Sequence, residues 1–131
     1  MNAINPFESI ESSELAEVAG GVTMKLTQFG YPEDPYMDSY TKKGQGAYRN
    51  LEAGESIAMT DSGLAALGLS GTAVRRSERW VEIRPRGGGN LQPIRRRIDD
   101  RAPQGDYRAD LYMPGGFDKR LPDYADVRLV R

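Results

Sequence analysis

Apolar and polar positions alternate weakly along residues 22–30, VTMKLTQFG, which predicts a first strand. Ser56 to Thr60, SIAMT, predicts a second, short one. Asp61 or Ser62 then serves as a helix cap, GLAAL as a short helix, and Gly68 as its end. Arg79 to Arg84 and Gln92 to Asp99 read as two strands around the turn Gly87-Gly88-Gly89-Asn90. Tyr107 to Tyr112 is a further strand, and Gly115-Gly116 leads into a short helix around Phe117 to Leu121. Val127 to Val130 forms the last strand. Residues 31–50, rich in Pro, Gly, Asp and Tyr, form a long ordered loop, a kind of segment that often carries function. About six short strands and two short helices predict a mainly β fold, a small closed barrel whose closure hides its strand edges.

Composition narrows the chemistry. The chain has 131 residues, the size of one ordinary domain. It has no Cys and no His. Ser-His triads, Cys nucleophiles and Cys/His zinc sites are therefore excluded. Acid–base chemistry must run on Asp, Glu, Tyr, Lys or bound water. The aspartates are available to a metal ion, but they do not follow the spacing of a calcium loop, and no metal or other cofactor is assigned. A net charge of −1 gives no bulk signal for nucleic acid. No apolar run approaches the roughly 18 residues that would suggest membrane insertion. A monomer is the expected state.

Residues 1–21, MNAINPFESIESSELAEVAGG, differ from the rest: they hold four Glu and no Lys or Arg. Ile10, Leu15 and Val18 fall close to one helical face, and Gly20-Gly21 would end the helix. An ordinary amphipathic helix with a Gly cap explains this pattern. The segment also resembles the double-glycine leaders of bacteriocins. Its apolar residue, Glu14-Leu15, Val18 and Gly20-Gly21 fill the places those leaders use, counted back from Gly21. The resemblance implies export by an ABC transporter whose peptidase domain cuts after Gly21. The secreted protein would then be residues 22–131, mildly basic after the loss of four of the 19 acidic residues.

The stretch RIDDRAPQGDYRADLY, residues 97–112, concentrates Asp99, Asp100, Asp106 and Asp110 around strand ends. Pairing of Asp with Arg at the surface is one explanation, and exposed pairs of that kind contribute little. Three Arg at 95–97 are either solvated, paired with Asp99 or available to an anionic polymer. Alternation puts Arg96 with Ile94 and Ile98.

The succession of motifs resembles the double-psi β-barrels of rare lipoprotein A, the expansins and the lytic transglycosylases with a three-aspartate domain. Arg97-Ile98-Asp99-Asp100-Arg101-Ala102-Pro103 and Arg108-Ala109-Asp110-Leu111-Tyr112 carry the resemblance, with weaker support from Thr41-Lys42-Lys43-Gly44 and Ser56-Ile57-Ala58. Where rare lipoprotein A usually has a His, this chain has Met59-Thr60-Asp61.

The resemblance implies a six-stranded double-psi barrel that acts on a polysaccharide, most plausibly peptidoglycan, outside the cytoplasm. Asp110 would be the acid of a lytic transglycosylase-like reaction, with Asp100 beside it and Thr27 and Tyr31 orienting the acid or the sugar. Tyr36, Tyr40, Tyr112 and Arg101 would bind substrate. Trp80 and Tyr48 are further rings for stacking, with burial an equal role for Trp80. Glu33, Asp34 and Asp38 either supply a second carboxylate or simply face solvent. A non-catalytic, expansin-like binder is the alternative from a different class.

Overall fold

The computed structural model describes residues 21–87, 91–103 and 105–130. The proposed leader helix, including Glu14, Leu15, Val18 and Gly20, lies outside these residues, as does most of the Gly87–Asn90 turn.

Alternation in β1, Val22–Phe29, turns Met24 and Leu26 into the core. The other strands are β2, Ser56–Met59; β3, Trp80–Pro85; β4, Ile94–Arg101; β5, Arg108–Tyr112; and β6, Tyr124–Val130. They close into a barrel in the order β1-β5-β2-β4-β3-β6. The β1–β5 and β2–β4 pairs are parallel, and the other four are antiparallel. This mixed six-stranded closure is compatible with a double-psi barrel. Ile57, Val81, Ile83, Ile98, Leu111 and Val127 fill its interior, each shielded from water.

Three short helices accompany the barrel: α1, Ser39–Lys42; α2, Asp61–Ala66; and α3, Gly71–Arg76. The cap of α2 is Thr60, one residue earlier than expected. Its hydroxyl accepts from the Gly63 N–H and donates to the Asp106 carbonyl, so it also ties α2 to the turn before β5. Leu64 of α2 and Val74 of α3 join the core. The predicted helix at 117–121 does not form. There the Asp118 carboxylate accepts the Arg120 N–H at 3.0 Å, a local bond that favours a turn over a helix.

The register between β2 and β4 has one irregularity. Ile57 pairs with Ile98, but Ala58 pairs with Asp100, so Asp99 is an extra residue in β4. A bulge of this kind re-aims the side chains beyond it. The Asp99 carbonyl accepts the N–H groups of Tyr48 and Arg49, which pins the preceding loop against the barrel. Gly46 makes this approach possible. A Cβ there would collide with the Asp99 carbonyl and lie 2.6 Å from the Arg49 carbonyl oxygen. Gly46→Ala is expected to destabilise the fold by about 1–3 kcal/mol through this overpacking. A urea midpoint equal to that of the parent would contradict that.

Candidate functional site

Register brings four positions into one row across adjacent strands. Thr27 of β1 pairs with Asp110 of β5, Asp110 with Ala58 of β2, and Ala58 with Asp100 of β4. Directly paired residues share a face. All four line a cleft of about 890 Å³ on the outside of the barrel wall. Ala58, with its single methyl, leaves the floor open between the two aspartates.

Asp110 is only 9% exposed. Burial raises its pKa to about 6, against the Thr27 hydroxyl, which donates to Oδ1 at 2.9 Å, and against Arg108; the charges of Asp34 and Asp100 push in the same direction as burial. Asp100 is also raised, first by burial, although the N–H groups of Ala47 and Arg101 both donate to its Oδ1 at 2.8 Å. A carboxyl that holds its proton into the mildly acidic range suits proton donation to a leaving oxygen.

Thr27→Val removes the hydroxyl that favours the ionised form. The Asp110 pKa is then expected to climb above about 6. Carboxyl-detected NMR titration measures this directly, and an unchanged or lower value would refute the role given to Thr27.

The two halves of the Asp-Asp pair have different fates. Asp99 is fully buried, where Arg97 Nε donates to its Oδ1 at 2.8 Å and the Ser56 hydroxyl donates to Oδ2. Glu52 and Glu55 flank Arg97 on its outer side. This is a structural ion network, and none of its side chains lines the cleft. The guanidinium groups of Arg95 and Arg97 also sit over the Trp80 ring, 4.7 and 5.4 Å from its centroid. Trp80 is thus engaged away from the cleft.

The long loop supplies the opposite wall. Asp34 accepts the N–H groups of Gly30 and Tyr36, and Asp38 caps α1 through the Thr41 N–H. Both line the cleft, whereas Glu33 is exposed and does not. Tyr31 lines the cleft and meets Phe117 edge to face at 5.2 Å. Phe117, Leu121 and Pro122 complete this wall, and no motif marked them in the sequence. Tyr36 stands 91% exposed on the rim. Arg101 lies on the rim, in a two-bond pair with Asp61 at 2.6 and 3.1 Å. Tyr112 packs against Phe29, 5.4 Å between ring centroids, and is not part of the cleft lining.

A second cleft of about 670 Å³ holds Tyr40, Gln45, Tyr48 and Asn50. Among the described residues, no cluster of three or more acidic side chains is arranged to hold a metal ion. Gly21, the first described residue, has φ +79°, and a Cβ there would lie 2.6 Å from the Val127 carbonyl oxygen. The barrel therefore has its own need for glycine at this position.

The chain matches no protein-family model, no curated protein and no solved structure.

Proposed function

We propose that this protein cleaves a cell-wall glycan, peptidoglycan, with Asp110 as the proton donor. The observation that carries the reading is the buried Asp110 carboxyl on the floor of an open cleft, its pKa raised to about 6. Glycoside cleavage needs an acid to protonate the leaving oxygen and stabilisation of positive charge on the sugar. Asp110 provides the first, and the carboxylates of Asp34 and Asp100 provide negative charge nearby. Tyr31 and Tyr36 offer ring faces to sugars, and Arg101 a rim contact. In a lytic transglycosylase reaction the sugar's own hydroxyl attacks, so one acid–base group suffices.

A hydrolase is the second reading, favoured by the strand spacing. Asp100 and Asp110 are two strands apart, so their Cα atoms are about 10 Å from each other. That span is compatible with the carboxyl separation of roughly 6.5–9.5 Å that leaves room for an attacking water. In either case the double-psi barrel would act outside the cytoplasm, after an ABC exporter removes residues 1–21.

The test is incubation of purified, insoluble cell wall with residues 22–131. Soluble glycan fragments are expected. Retention of the protein on the wall without fragments would replace the enzyme with an expansin-like binder. Neither retention nor fragments would end the glycan reading.

A further inference from the structure

The two clefts are not separate. Asp38, Thr41, Asp100 and Arg101 line both, so these four residues form the saddle between them. The saddle is held from both sides: Ala47, on the loop of the second cleft, and Arg101, at the end of β4, both donate their N–H to Asp100 Oδ1. The same bulge that aims Asp100 into the first cleft also anchors Tyr48 and Arg49 of the second through the Asp99 carbonyl. One backbone feature therefore sets the position of both.

The lining of the second cleft is what a sugar chain requires. Gln45 and Asn50 carry amides that both donate and accept, and Tyr48 carries a hydroxyl. Tyr40 is 66% exposed on α1, with its ring free to lie against an apolar sugar face. Each cleft falls within the roughly 300–1,000 Å³ that accommodates a drug-sized ligand, about the size of a di- or trisaccharide.

We propose that a single linear glycan crosses the saddle and occupies both clefts, so that the protein engages chains internally rather than at their ends. This rests on the glycan reading of the first cleft. With sugar units bound on both sides of the row formed by Thr27, Asp110, Ala58 and Asp100, the scissile bond lies inside the chain. The second cleft is then a binding site for the part of the polymer beyond Asp100.

Calorimetric titration of N-acetylglucosamine oligomers, a disaccharide and a hexasaccharide, tests this on residues 22–131. The hexasaccharide is expected to bind at least roughly tenfold more tightly, and Tyr40→Ala to remove most of that advantage, as loss of one stacking contact would. Equal affinity for both lengths would overturn the two-cleft inference and leave the glycan reading standing. A length advantage that survives Tyr40→Ala and also survives Asn50→Ala would overturn the assignment to the second cleft. Binding of neither oligomer would overturn the two-cleft inference, and would overturn the glycan reading as well if the protein is also not retained on insoluble wall and releases no fragments from it.

Discussion

Asp110→Asn is expected to lower the rate of glycan cleavage by about 10²–10⁴-fold, the usual contribution of a positioned general acid. The same substitution is expected to make the protein more stable at neutral pH. The sign comes from linkage. An aspartate ordinarily titrates near 3.9, whereas folding raises Asp110 to about 6. Between those values the folded state holds a proton that the unfolded state has lost, so stability falls as pH rises through this window and then levels off. The shift corresponds to about 2–3 kcal/mol for this nearly buried group. Asn carries no charge and keeps an acceptor for the Thr27 hydroxyl, so it avoids that loss. Urea unfolding of parent and variant at pH values below and above the window checks this. The stability difference should appear only on the alkaline side. A variant that is equally active, or less stable than the parent at neutral pH, would contradict the role given to Asp110.

Asp99→Ala is expected to have the opposite character: a loss of about 3–5 kcal/mol, the usual cost of breaking a buried pair by removing one of its members. Arg97 would keep Glu52 and Glu55 on its outer side but lose the acceptor on its inner side. The Ser56 hydroxyl would lose its partner too. Against a typical total of about 5–15 kcal/mol, this is a large fraction of the stability. Asp99→Asn, which keeps acceptor capacity for both neighbours, is expected to lose less. Denaturant midpoints separate these outcomes, and an Asp99→Ala midpoint equal to that of the parent would remove the structural role assigned to Asp99.

The contrast between these neighbouring aspartates marks the limit of what sequence alone reveals. The strands were legible because apolar residues recur with period two, as in Met24 and Leu26 or Val81 and Ile83. The short helix after β2 was legible from its small and apolar residues, although Thr60 competed with Asp61 and Ser62 for the cap and won through a second bond to Asp106. Helices α1 and α3 were missed. Four and six residues are too few for a periodicity, and only the caps Asp38 and Ser70 announce them. Strict alternation would place Asp100 on the inward face of Ile98. The bulge at Asp99 breaks that alternation, and it sits where the Asp99 carbonyl meets Gly46 and Tyr48, about fifty positions away in the chain. The pairing of Thr27 with Asp110 likewise depends on a parallel register between distant strands. No local pattern announces such a register.

The most direct measurement is mass spectrometry of the soluble products formed from peptidoglycan by residues 22–131, beside Asp110→Asn. The account predicts glycan fragments from the parent and a loss of at least about 10²-fold in the variant. Anhydro ends would establish the lytic transglycosylase reaction, and ordinary reducing ends the hydrolase. Equal fragment yields from parent and variant would contradict the central claim, because the acid would then lie elsewhere than on the floor of this cleft.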